Sequence, residues 1–317
     1  MTRLLQTLMD GVAVGSLYAL IALGYTMVYG ILKFINFAHG DIFMLGAWVS
    51  FTLAATLGYA SGVPPWFAAP LVLFSSMALC GLLGFTIERL AYRPLRNAPR
   101  INVLITAIGV SLFIENVGQL EPIGWLAERG LAFPFGTRPQ RMPALLPDAT
   151  LFEVVGVQVK LVDVLVIGIA FALMGLLQWL VFGTKLGRAM RAVSHDPKTA
   201  ALMGIDVDRV ISFTFVVGSV LAAAAGFLAA EKYPSLNQPA HSTWILLGLK
   251  AFVAAVVGGI GNVRGAMAGG LLIGMVELFG AAYLSPQLRD VYVFSLLIVV
   301  LLVKPEGLLG KSTVEKV

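Results

Sequence analysis

The sequence predicts an all-α membrane protein with about nine transmembrane helices, and anything from eight to ten fits the same pattern. Three observations predict it. Of 317 residues, 58% are hydrophobic and only 12% are charged, and the mean hydropathy is +0.89. A soluble domain carries about a quarter charged residues. Apolar runs recur along the whole chain, and each bilayer crossing takes ~20 such residues. Basic residues gather in loops separated by two apolar runs, the arrangement that orients a membrane protein. The spans are expected to form one membrane domain, 1–317, with no soluble domain.

The first segment covers 10–32. Its run from Gly11 to Leu32 is too long for a signal-peptide core and lacks a small-residue cleavage site, so it reads as a span. The others lie at about 41–58, 66–88, 101–120, 161–182, 210–230, 244–261, 265–284 and 291–303, the last being short. The pairs 10–58 and 244–284 have tight polar or glycine-rich connections and could be broken or re-entrant helices.

Orientation follows from the basic loops. One carries Arg89, Arg93, Arg96 and Arg100; another carries Lys185, Arg188, Arg191, Lys198 and Arg209. Two spans separate them, so they share a side, which should be the cytoplasm. The tail with Lys304, Lys311 and Lys316 also falls inside, and the N-terminus outside. The net charge of +5 then reflects cytoplasmic loops rather than nucleic-acid binding. Trp66 and Trp244 fall at outer ends and Trp179 near an inner end, as an aromatic belt would place them. The longest polar stretch, about 121–160, is external. Its end, Phe152 to Lys160, alternates around Gly156 and reads as a small hairpin. The single cysteine, Cys80, excludes a disulfide framework.

The most informative loop is cytoplasmic, 184–209. Asp196 can cap a helix, Pro197 suits its first position and Gly204 its end, giving a two-turn helix from Lys198 to Met203. A short amphipathic helix between two spans suits a groove in another protein. The alternative is an ordinary basic loop with an incidental helical turn.

The pattern Asp196-Pro-x-x-Ala200-x-x-x-Gly204 resembles the coupling loop of ABC-importer permeases. The stretch 11–41 (GVAVGSLYALIALGYTMVYGILKFINFAHGD), PLRNAPR followed by LITAIGVSLFIENV, 248–274 (GLKAFVAAVVGGIGNVRGAMAGGLLIG) and the end KPEGLLG resemble the branched-chain amino-acid permease family, in particular the first of its two permease subunits. The resemblance covers most of the chain outside about 121–150 and 231–244. It implies an ATPase-coupling segment formed by Asp196, Pro197, Lys198, Thr199, Ala200, Ala201, Leu202, Met203 and Gly204. It also implies a second related permease, two cytoplasmic ATPases that bind ATP and magnesium, and an external solute-binding protein, with no cofactor in this chain. The location implied is the bacterial inner membrane.

Two polar or glycine-rich breaks are candidates for the translocation pathway: Asn36, Phe37, His39, Gly40 and Asp41, and Gly258, Gly259 and Gly261. Such breaks at membrane depth often line a path. The alternative for the first is a plain capped turn. Gly261, Gly265 and Gly269, at spacing four, are expected to form a smooth packing stripe on one helix face. Glu115, Lys250 and Glu277 fall inside spans. They read either as a substrate or proton relay or, preferably, as inter-helix pairs such as Lys250 with Glu277 or Glu231. The tail from Pro305 to Ser312 imitates a phosphate-binding loop, but Pro305 stands where the first glycine belongs and no helix follows, so ATP binding is rejected. His39, His195 and His241 are far apart, and no metal site is expected.

The function expected is a non-catalytic permease subunit of an ATP-driven importer. An apolar path with few charges suits zwitterionic cargo such as leucine, isoleucine or valine; urea, short amides and aromatic acids are the alternatives. An ion-coupled secondary transporter using Glu115, Lys250 and Glu277 is the rival of another class. An intramembrane enzyme is disfavoured because no nucleophile–base pair is present.

Overall fold

The computed structural model describes residues 2–59, 64–96, 98–128, 133–147, 149–154 and 156–310. Each apolar segment forms a helix. In chain order the helices are α1 (Thr2–Leu32), α2 (His39–Thr56), α3 (Ala68–Ile87), α4 (Arg100–Gly118), α5 (Gly124–Ala127), α6 (Leu161–Gly183), α7 (Lys185–His195), α8 (Pro197–Leu202), α9 (Val207–Lys232), α10 (Ser242–Gly258), α11 (Val263–Tyr283) and α12 (Arg289–Val303). A π-helical turn, Glu88–Tyr92, and a 3-10 turn, Arg93–Leu95, extend α3.

Among the described residues, seven helices are long and apolar enough to cross a membrane. The two apolar helices outside that group are α2, whose first turn contains His39 and Asp41, and α10, with 17 residues. At 1.5 Å per residue α10 is about 26 Å long, just short of the ~30 Å hydrocarbon core. These two helices flank the two breaks and cross each other, with Gly40 meeting Gly248.

Position follows from side-chain size. The most apolar stretch of α1 is 94% buried, against 28% in α4 and 11% in α12, so α1 stands at the centre and α4 and α12 at the rim. α1 is central because small residues let neighbours approach its backbone. A Cβ at Gly270 or Gly274 of α11 would fall on the backbone of Ala19 or Gly15 in α1. Similar contacts set α9 against α2, through Gly46 and Ala223, and against α3, through Gly84 and Ser219.

The expected stripe is corrected at one position. α11 begins at Val263, so Gly261 lies in the preceding turn at φ +91° rather than on the helix face. Gly265 and Gly269 do pack closely, against Gly258 and Ala254 of α10.

The basic loops share one end of the bundle. There Arg93 and Arg96 pair with Asp208, the Ser194 hydroxyl donates to the Gly30 carbonyl at 2.5 Å, and Arg264 lies 5.5 Å from the Phe182 ring. At the other end, β2 (Thr150–Val154) pairs antiparallel with β3 (Val157–Lys160) as the expected hairpin. β1 (Gln140–Arg141) pairs with β4 (Ser235–Leu236), joining the 133–147 and 233–241 stretches. Trp66 and Trp179 are exposed, as a belt requires, but Trp244 is 7% exposed. Its indole N–H donates to the Asn237 carbonyl at 3.0 Å and its ring meets Phe43 edge-on, so it anchors the loop before α10 instead. Lys311, Ser312 and Lys316 of the sequence reading lie outside the described residues.

The packing gives opposite signs for one chemical change. Gly274→Ala drives a methyl into Gly15 and should cost about 1–3 kcal/mol. Gly168→Ala on α6, with nothing within 4 Å of its Cβ position, should gain about 0.5–1 kcal/mol from helix propensity. Unfolding of the two variants in mixed micelles measures both.

Candidate coupling helix and membrane breaks

The 184–209 loop contains two helices. α7 is amphipathic and lies under the end of α6. Thr184 caps it, its Oγ accepting the Gly187 N–H at 3.0 Å. Gly187 sits against the carbonyls of Leu180 and Val181, where no side chain would fit, and Arg191 donates to the Val181 carbonyl. Sequence reading missed α7, although Met190 and Val193, its buried face, stand at helical spacing.

α8 has the caps read from the sequence. Asp196 Oδ1 accepts the Lys198 N–H at 2.9 Å, the Thr199 hydroxyl donates to the other carboxyl oxygen, and Pro197 occupies the first position. The Thr199 hydroxyl, then backbone N–H groups, hold the Asp196 carboxyl below its usual pKa. A depressed folded-state pKa means that the cap's contribution is complete above the ordinary carboxylate range and is lost as pH falls through the depressed value. The cap is therefore intact at neutral pH. Gly204 has φ +82° and open space around it, so glycine serves the backbone turn there rather than a close contact. Ala200 is buried on the underside, whereas Leu202 and Met203 are 87% and 79% exposed. A helix this short has no independent stability; the caps and Ala200 hold it, and its apolar end points outward.

The first break, between α1 and α2, is packed into the core. Lys33 adopts φ +56°. The Tyr92 hydroxyl donates to Asn36 Oδ1 at 2.5 Å. His39 fills the slot left by Gly24 of α1 and Gly218 of α9 and meets Tyr25 edge-on at 4.8 Å. Phe37 lies 6.3 Å from the Phe252 ring. Asp41 faces Glu115 and Ser111 of α4. Thr26 Oγ, Asn36 Nδ2, His39 Nε2 and one Asp41 oxygen are buried without a protein hydrogen-bond partner. Such groups take water or a polar ligand more readily than an apolar one.

The second break holds the tail. Gly259 at φ +107° opens the end of α10, and the tail's Leu308 and Leu309 N–H groups donate to the Val257 and Gly258 carbonyls at 2.8 and 3.0 Å. The Asn262 amide donates to the Leu309 carbonyl at 2.6 Å, while its oxygen caps α11. A Cβ at Gly307 would collide with Gly259. The KPEGLLG glycines thus serve close backbone docking. Gly258 and Gly259 are covered by this tail and by Gly265, while Gly261 is exposed beside Gly30 of α1.

Comparison with known proteins agrees with this architecture. A family model described as "Branched-chain amino acid transport system / permease component" matches residues 7–302. The chain belongs to that family. It is 40% identical to the high-affinity branched-chain amino acid transport system permease protein LivH of Escherichia coli K12 over 316 residues, covering 99% of this chain and 97% of the relative. It is 42% identical to the corresponding protein BraD of Pseudomonas aeruginosa, covering 99% and 98%. A more distant relative, the ribose import permease protein RbsC of Haemophilus influenzae, is 23% identical over 83% of this chain and 73% of its own length.

Within this permease, two of the three charges read inside spans, Lys250 and Glu277, are paired, while Glu115 faces Asp41. Glu277 accepts from the Tyr18 hydroxyl at 2.7 Å, from Lys250 at 3.0 Å and from Arg289 at 2.9 Å, and Lys250 also meets Asp290 at 2.6 Å. The expected Lys250–Glu277 pair is present. Glu231 instead accepts the Leu146 N–H at 3.3 Å. Tyr18 was not legible as a partner because it comes from a helix remote in sequence, and Arg289 and Asp290 because the turn after α11 has to fold their helix back onto Glu277.

Glu277→Ala leaves two cations facing an emptied site and should cost about 3–5 kcal/mol of folding stability. Pairing it with Lys250→Met should recover part of that loss. A double-mutant cycle on unfolding in detergent reads the difference.

Proposed function

We propose that this chain is the membrane permease subunit of an ATP-driven ABC importer for branched-chain and other hydrophobic neutral amino acids in the bacterial inner membrane. The reading has nine crossings, with the N-terminus outside and the tail and the 184–209 loop in the cytoplasm. It rests on the positive-inside bias of the basic end. One observation carries the mechanism: α8 is capped at both ends, seated through Ala200, and presents Leu202 and Met203 to solvent at the basic end.

Asp196 to Gly204 dock into a cytoplasmic ATPase, which binds ATP and magnesium and performs the hydrolysis that this chain does not. Closing of an ATPase pair pushes α8. α7 carries the displacement to α6 and, through Ser194, to the end of α1, while Gly204 to Asp206 lead directly into α9. Helices packed backbone to backbone move as rigid pairs, and so switch access by shear or rotation. A second permease completes the pathway, and an external solute-binding protein delivers cargo to the face built from 121–160 and 231–244. On the path side, the unpartnered polar atoms of Asn36, His39 and Asp41 offer transient contacts to a zwitterion. The Gly258–Gly261 turn acts beside them as the hinge on which the tail is docked. The names of the full-length relatives support the amino-acid cargo. The pairing of Glu277 and Lys250 with Arg289 and Asp290 favours a structural role for these charges over ion coupling.

Gly204→Val tests the coupling role. A β-branched residue at positive φ costs about 1–3 kcal/mol, a factor of about 5–150 in the population of docking-competent helix. ATP-dependent leucine uptake into proteoliposomes of the whole importer should fall by that factor, with the permease still inserted. Uptake that survives without any ATPase would overturn the reading.

A further inference from the structure

A pocket of about 530 Å³ opens at the basic end, between the end of α3 and the start of α9. Its apolar wall is made by Phe85, Phe213 and Val216, and its polar rim carries Arg89, Arg93 and Arg209 together with Asp206, Asp208 and Ser212. Most of the charge is compensated. Arg93 pairs with Asp208, Arg209 pairs with Asp206 at 2.8 Å, and Arg96 bridges Asp208 to Glu88, which is fully buried and accepts the Ser212 hydroxyl at 2.6 Å. Arg89, Arg93, Arg96 and Arg209 thus stand against Glu88, Asp206 and Asp208, which leaves one positive charge in surplus. The surplus sits on Arg89. Its guanidinium lies over the Phe85 ring, 5.9 Å from the centroid, and has no carboxylate partner among the described residues.

The pocket lies where the apolar run of α3 gives way to charge. Leu82 and Leu90, on either side of this level, are 62% and 72% exposed. A site that is cationic at its rim and apolar along its wall, at a membrane surface, fits an amphiphile with an anionic head. One surplus positive charge matches one phosphodiester, and a guanidinium presents two parallel N–H donors to phosphate oxygens.

We propose that this pocket binds the headgroup of an anionic phospholipid, with Arg89 as the phosphate ligand and Phe213 and Val216 against the first part of an acyl chain. The bound lipid joins the π-helical turn of α3 to the first turn of α9, the turn that follows the coupling helix. It therefore stiffens the joint through which α8 meets the bundle. The inference requires the chain to lie in a membrane and is independent of its cargo.

Native mass spectrometry of the intact purified chain tests it, with dioleoyl phosphatidylglycerol, dioleoyl phosphatidylcholine and inorganic phosphate offered separately. Wild-type protein should retain phosphatidylglycerol over phosphatidylcholine. Arg89→Gln should lower that retention roughly fivefold, the value of about one interfacial basic residue. Arg89→Lys and the control Arg188→Gln, at an exposed position of α7, should retain it. Hydrogen exchange of the wild-type protein, which depends on no variant, should slow at 88–96 and 206–212 when phosphatidylglycerol is added. Equal retention of the two lipids, or equal retention by wild type and Arg89→Gln, would overturn the proposal. So would displacement of the lipid by inorganic phosphate at equal concentration, which would mark a free-anion site.

Discussion

Each close approach to the backbone of α1 occurs where a glycine or alanine removes the side chain that would hold two helices apart. In lipid, burying apolar surface gives little drive for helices to associate, so van der Waals contact and hydrogen bonds must do it. Gly15 and Ala19 meet Gly270 and Gly274 of α11, Gly24 admits the His39 ring against α9, and Gly30 faces Gly261. At these contacts no layer of side chains separates α1 from its neighbours. α1 therefore moves with its neighbours or not at all.

This rigidity connects the two ends of the molecule. At the basic end, α1 meets the Ser194 hydroxyl of α7 and the Gly261 turn. In the middle it holds His39 of the first break, and toward the far end its Tyr18 donates to the Glu277 charge cluster. The first turns of α1 reach the β2–β3 hairpin through Gln6, whose side-chain oxygen accepts the Gln158 N–H at 3.2 Å. α8 differs from all of these. It is seated through Ala200 alone and otherwise exposed, as suits a part that another chain grips.

The spans were legible because apolar runs of this length have few structural alternatives, and the boundaries moved by only a few residues at most ends. The caps of α8 were legible because Asp196, Pro197 and Gly204 act within one turn of chain. Contacts distant in sequence were not legible. Gly261 sits at the right spacing for a helical stripe, but Asn262 caps the helix after it and the tail docks beside it. Trp244 looks like an interfacial tryptophan until the 233–241 loop, whose Asn237 carbonyl its indole reaches, is folded over it. The two-residue strands β1 and β4 are too short to leave a periodic signal. α1 begins well before its apolar run, where Gln6 finds a partner in the folded protein, the Gln158 N–H.

The central claim is that the exposed end of α8 sits on a cytoplasmic ATPase during transport. Cys80 is the one cysteine in the sequence and is 1% exposed, so a new cysteine can be read against a quiet background. Placing it with Leu202→Cys and treating membranes that hold the whole importer with a short thiol cross-linker is the most direct measurement. The account predicts a cross-link to the nucleotide-binding chain and protection from an impermeant maleimide added outside intact cells. Labelling from outside, or an actively transporting complex with no cross-link to that chain, would contradict it.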